Sequence, residues 1–97
     1  MEMKKAVALA KTYILDLYAD EGIDEVGLEE IEYDEAQKVW KVTVGFRRPW
    51  GREPKSEGPL ASLSRLAYRE RWYKAVEMSD KDGRLISVKD RILKDAA

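Results

Sequence analysis

The chain predicts an α+β domain: an N-terminal helix packed on a curved, four-stranded antiparallel sheet. Three observations point there. Residues 3–19 carry apolar groups at helical spacing, residues 39–47 alternate strictly, and residues 69–92 read as strand, turn and returning strand around Asp80-Lys81-Asp82-Gly83. Ninety-seven residues form one domain, 1–97, which can bury one modest core.

In the first element, Met3, Val7, Ala10, Ile14, Leu17 and Tyr18 line one face, and Lys4, Lys5 and Lys11 lie off it. Ala6, Ala8 and Ala10 favour helix and allow a sheet to come close. Gly22 stands where a C-terminal cap belongs, so the helix should end near Ala19 to Glu21. Asp16, Asp20 and Glu21 crowd that end, which the helix dipole disfavours. Residues 26–34 form the first strand. Its apolar parity flips between Leu28 and Ile31, which a bulge at Glu29-Glu30 explains.

After a turn at Asp34 to Gln37, the second strand sets Trp40, Val42, Val44 and Phe46 against Lys41, Thr43, Gly45 and Arg47. Pro49, Gly51, Pro54, Gly58 and Pro59 then punctuate a long loop, 48–64, and connections of that length are commonly functional or disordered. Strand three begins near Ala67 and runs to Ser79, with adjacent Trp72 and Tyr73 facing opposite sides. Strand four runs from Arg84 to Ile92, and Leu85 breaks its alternation. The expected core is Val7, Ala10, Ile14, Leu17, Ile31, Trp40, Val42, Val44, Phe46, Trp72, Val76, Ile86 and Val88.

Composition removes several chemistries. Cysteine is absent, which excludes disulfides and thiol catalysis. Histidine is absent too, and with it the commonest general base and metal ligand. No run approaches the roughly 20 apolar residues that span a bilayer, and the opening residues read as amphipathic helix; no membrane partner and a cytoplasmic location are expected. Charge is polarised: residues 1–38 hold a net −7 and residues 39–97 a net +6. Such halves can pair with each other, stack between copies or meet a charged partner.

The candidate catalytic sets are thin. Asp80-Lys81-Asp82-Gly83 lacks the third acid and the downstream glutamate of a calcium loop and reads as a hairpin turn. Glu29, Glu30, Glu32, Asp34 and Glu35 form an acidic run that suits a solvated strand edge better than a metal cage. Ser62 or Ser64 beside Lys55 or Lys74 has no motif behind it. The expectation is a protein that is not an enzyme, with no cofactor and no metal.

Two binding surfaces remain. Arg47, Arg48, Trp50 and Arg52 combine the residue types that dominate protein interfaces, and form the leading partner-binding candidate, its protein partner unidentified. Arg69, Arg71, Tyr73, Lys74 and Arg84 interleave bases with aromatics, and form the alternative, a surface for single-stranded nucleic acid. Interrupting acids and the missing recognition-module signatures make the nucleic-acid reading the second choice, with cross-strand salt bridges as the simpler explanation. Homodimerisation through outer strand edges is a further expectation.

The helix Ala6 to Tyr18, the strand Val39-Trp40-Lys41-Val42-Thr43-Val44 and the ending Tyr73 to Ser87 around Asp-x-x-Gly together resemble the cystatin-like architecture, and within it the small PepSY-type module. The resemblance implies one helix across a curved four-stranded sheet, and a role in binding or restraining peptidases. The chain departs from it in the long basic insert between its middle strands, and it has no Gln-x-Val-x-Gly loop of cystatin inhibitors.

Overall fold

The computed structural model describes residues 1–49 and 69–92. Helix α1 (Met3–Leu17) is followed by a 3-10 turn (Ala19–Glu21) and by strands β1 (Asp24–Asp34), β2 (Val39–Pro49), β3 (Arg69–Ser79) and β4 (Leu85–Asp90). The strands form one antiparallel sheet in the order β1-β2-β3-β4, each beside its neighbour in sequence. With α1 packed on it, this is the expected α+β class. No described helix is long and apolar enough to cross a membrane.

Fifteen helical residues give α1 a length of about 22 Å. Its buried line is Ala6, Ala10 and Ile14, with Leu9, Tyr13 and Tyr18 packed alongside. This differs from the expected stripe in two places. Val7 is only half-buried, because small alanines at 6 and 10 make the closest line of approach. Leu17 is 55% exposed. The chain leaves the helical path at Tyr18 (φ −109°), whose ring turns onto Phe46 at 5.1 Å, so the tyrosine closes the core and the leucine stays outside. Gly22 then reverses the chain with φ +63°, the left-handed conformation glycine adopts without steric cost.

Strand β2 is the centre of the sheet. Trp40, Val42, Val44 and Phe46 are buried on the helix side, and face Met78, Val76, Lys74 and Trp72 of β3 in register. On the other side Tyr33, Ile31 and Leu28 of β1 lie opposite Trp40, Val42 and Val44. Ile31, Trp72 and Val88 reach this core half-buried. Met78, which the alternation pattern alone did not single out, completes it; Val39 is buried as well, but outside this cluster. β2 runs to Pro49, so Arg48 and Pro49 belong to strand; the remainder of the expected 48–64 loop lies outside the described residues.

Bulges explain the breaks in parity. On β1, Leu28 pairs with Val44 and Glu30 with Thr43, which leaves Glu29 as the extra residue, at the position where the apolar pattern flips. A second irregularity between Asp24 and Gly27 contains Glu25 at φ +51°. On β4, Glu77 faces Ser87 while Met78 faces Leu85, so Ile86 is extra. It is consequently 48% exposed and is not a core residue, contrary to the sequence pattern.

The β3–β4 turn docks on the helix. Gly83 N–H donates to Ser79 O at 2.8 Å, and Tyr13 Oη donates to Gly83 O at 2.7 Å. Gly83 has φ +71°, which glycine adopts without steric cost, and a Cβ there would lie 2.8 Å from Leu9 Cδ1, so the turn calls for glycine and a larger residue would also displace the leucine tip.

These placements separate two residues of similar hydrophobicity. Met78→Ala should cost about 2–5 kcal/mol of stability, the range for deleting a fully buried side chain. Ile86→Ala should cost below about 1 kcal/mol, as at other exposed positions. Urea denaturation of both variants checks this; equal losses would put Ile86 back in the core.

Candidate functional site

Neighbouring residues on a strand face opposite ways, so β2 delivers Arg47 and Arg48 to different faces of the sheet. On the helix side, just past the end of α1, the Arg48 guanidinium lies 4.3 Å from the Trp72 ring centroid and 5.5 Å from that of Tyr18. Its Nη1 donates to Glu21 Oε1 at 3.3 Å. Lys74 enters the same cluster, 5.8 Å from Trp72 and 5.9 Å from Tyr18, and hydrogen-bonds Asp90. Burial, the largest single influence, would lower the Lys74 ammonium, but the Asp90 hydrogen bond together with the Asp90 charge and Tyr18 outweighs it, and the net shift is upward. In turn that bond holds the Asp90 carboxyl below its usual value. The result is a cationic–aromatic patch built from α1, β2 and β3, with Arg48 about one-fifth exposed and its partner Glu21 about half exposed (21% and 48%).

The other face is lined by small residues. Thr43 and Gly45 are buried at its middle, and Ala75 lies opposite Thr43. Arginine–glutamate bridges cross over them. Arg47 Nε sits 2.7 Å from Glu25 Oε2. Arg71 reaches from β3 across β2 to β1: Nε and Nη2 donate to Glu29 Oε1 at 3.1 and 2.7 Å, and Nη1 donates to Glu25 O at 3.0 Å. Arg91 Nε donates to Glu30 Oε1 at 3.1 Å. Its own N–H pairs with Tyr73 O, so the bridge spans three strand spacings, about 14 Å on a flat sheet, a span that the sheet's twist shortens. Beside it a cavity of about 290 Å³ is lined by Glu30, Ile31, Glu32, Lys41, Thr43, Ala75 and Arg91.

A third cluster gathers at Asp80. Its Oδ1 accepts from Trp40 Nε1 at 2.7 Å and from the Met1 α-ammonium at 3.0 Å, and its Oδ2 from Tyr33 Oη at 3.5 Å. The Trp40 and α-ammonium hydrogen bonds hold the Asp80 carboxyl below its usual value. Burial and the Asp80 charge raise the Tyr33 phenol. Asp82 is lowered as well, by the hydrogen bond its Oδ1 accepts from Arg84 N at 3.0 Å.

The sequence-predicted residues are therefore dispersed. Of the leading set, Arg47 and Arg48 stand on opposite faces, and Trp50 and Arg52 lie outside the described residues. Of the alternative set, Arg71 and Tyr73 share the open face, with the guanidinium 6.0 Å from the tyrosine ring, whereas Lys74 faces the helix. Arg84 follows the hairpin turn, and the Arg69 side chain lies outside the described residues. Arg71 and Lys74 both hold carboxylates. Sequence reasoning missed Tyr18 and Glu21 as members of the Arg48 patch; the signal available was the acidic helix end, which needed a cation.

Among the described residues, five ion pairs join acids of residues 1–38 to bases of residues 39–97: Asp34–Lys41, Glu25–Arg47, Glu21–Arg48, Glu29–Arg71 and Glu30–Arg91. The two oppositely charged halves thus meet within one chain. No protein-family model matches this chain, and no curated protein or solved structure does.

The carboxylates fix a pH dependence. Asp80, Asp82 and Asp90 all titrate below their ordinary values in the fold. Each therefore stabilises the fold fully above its unfolded pKa, about 4, and loses that contribution as pH falls through its folded pKa. Tm should be level near neutrality and drop below about pH 4. Asp80→Asn should lower Tm at pH 7 and converge on wild type near pH 2. A constant offset at both pH values in a calorimetric series would rule out the charge as the cause.

Proposed function

We propose that this chain is a non-enzymatic binding module that meets a protein partner at the Arg48 end of the sheet. The observation that carries the reading is the Arg48 guanidinium held between the rings of Trp72 and Tyr18 and tied to Glu21. Stacking orients the planar fork in advance, so less side-chain freedom is lost when its remaining N–H groups engage a carboxylate or carbonyl. Arginine, tryptophan and tyrosine are also the residues that concentrate binding energy at interfaces. Trp50 and Arg52 follow directly in sequence and extend the same chemistry. The PepSY-type resemblance points toward a peptidase as the partner. A cytoplasmic location is proposed with it, in keeping with a cysteine-free chain.

Single-stranded nucleic acid remains the second reading and no geometric feature favours it, since Arg71 and Lys74 already neutralise carboxylates.

Quantitative capture from native extract tests the proposal, with wild type, Arg48→Ala and Trp50→Ala as bait. Arg48→Ala should weaken capture of a specific protein by roughly thirtyfold, the loss of about 2 kcal/mol typical of a hot spot. Tyr13→Phe, which loses one hydrogen bond to the β3–β4 turn and is not part of the patch, serves as a control for destabilisation and should retain the partner. Retention of every partner by both arginine and tryptophan variants would remove this surface. In parallel, affinity for a single-stranded oligonucleotide should be weak; tight binding that falls steeply with salt would install the nucleic-acid reading instead.

A further inference from the structure

Among the described residues β1 is an edge strand, eleven residues long. A long edge offers unpaired N–H and C=O groups to a strand from another molecule. β4, the opposite edge, has six residues, a bulge at Ile86 and Lys89 within it, three features that discourage pairing. β1 has its own defence in the two bulges at Glu25 and Glu29. Both are held by the same side chain. Arg71 donates Nη1 to the backbone carbonyl of Glu25, and Nε and Nη2 to the carboxylate of Glu29.

That reach depends on Gly45. The guanidinium and the Glu29 carboxylate pass directly over it: a Cβ at position 45 would lie 2.6 Å from Glu29 Oε1 and 2.8 Å from Arg71 Nη2. The next glycine along, Gly27 of β1, lies opposite Gly45, and its Cβ would stand 3.6 Å from the same Nη2. The channel across β2 is thus cleared at one position and open at the next. Glu25, with φ +51°, holds a backbone conformation that a non-glycine residue rarely takes without support, and its carbonyl is the one Arg71 grips.

We infer that Arg71 is a latch that pins both β1 bulges through the gap at Gly45, and so keeps the β1 edge from pairing with a second copy of this chain. The latch acts on register. A bulge absorbs one extra residue, and with the bulges released, residues 25–30 can straighten into a template for strand addition. With the latch lost, the carboxylates of Glu29 and Glu32 still repel a second β1 at low ionic strength, while Glu25 and Glu30 stay paired with Arg47 and Arg91, so the released edge pairs when salt screens them.

Hydrogen exchange and sedimentation test this on the full chain. In Arg71→Leu, the slowest amides between Glu25 and Glu30 should exchange about tenfold faster, the equivalent of one charged hydrogen bond. Amides of Val42 and Val76 should be unchanged. Gly45→Ala retains every charge and only obstructs the crossing; it should show the same local rise, and it decides the matter if the leucine variant does not fold. Both variants should sediment as monomers at 0.15 M salt and as dimers at about 1 M, while wild type stays monomeric at both. Unchanged exchange at residues 25–30 would overturn the latch, as would equal loosening of Val42 and Val76, or variants that remain monomeric at high salt.

Discussion

The fold depends on one burial event: the row Trp40, Val42, Val44 and Phe46 of β2 beneath the line Ala6, Ala10 and Ile14 of the helix. Two of those three helical residues are alanine, so the helix backbone can lie close to the sheet. That closeness has consequences at both ends. At one, Leu9 packs against the β3–β4 turn at Gly83, and Tyr13 reaches the turn's carbonyl. At the other, Tyr18 lands on Phe46 and closes the core where the helix stops. A larger residue at position 6 or 10 would lift the helix and loosen both ends together, since close-packed interiors transmit such strain.

The open face obeys a different rule. Its central residues are small and its cover is ionic. An exposed ion pair contributes at most about 1 kcal/mol, so these bridges are a poor source of net stability. Their effect is positional. Each links β1, an edge strand, to a strand or segment further across the sheet. The acidic first third of the chain and the basic remainder are complementary surfaces of one sheet, brought together by antiparallel pairing. The polarity that could have drawn in a charged partner is largely spent within the molecule.

Much of this was legible in the residues. The strict alternation of β2 has one physical reading, and the structure bears it out. The parity flip between Leu28 and Ile31 points to the Glu29 bulge, because a bulge is the local way to put both residues on the same side of the sheet. The same logic applies to Leu85, whose break in alternation marks a bulge rather than an irregular strand start, so Ile86, inside by the sequence pattern, is the bulged residue. Leu17 departs from the pattern because periodicity says which side a residue faces and not where the helix ends. The arginine bridges were invisible in detail: Arg71 and Glu29 are 42 residues apart, and their meeting depends on the missing side chain of Gly45, a negative feature that no periodicity reports.

Parity also decides which arginine can serve function. Arg71 spends Nε, Nη1 and Nη2 on β1, so little of its fork is left for a ligand. Arg48, one residue beyond Arg47 and therefore on the other face, spends one of its five N–H groups on Glu21 among the described residues and rests on two aromatic rings. Rings orient a guanidinium without satisfying its donors in the plane. A side chain already oriented by its neighbours, with donors beyond those engaged among the described residues, gives up little to bind and has much to offer. That combination sets Arg48 apart from the arginines that hold the sheet together, and is the reason the proposed contact surface lies on the helix side.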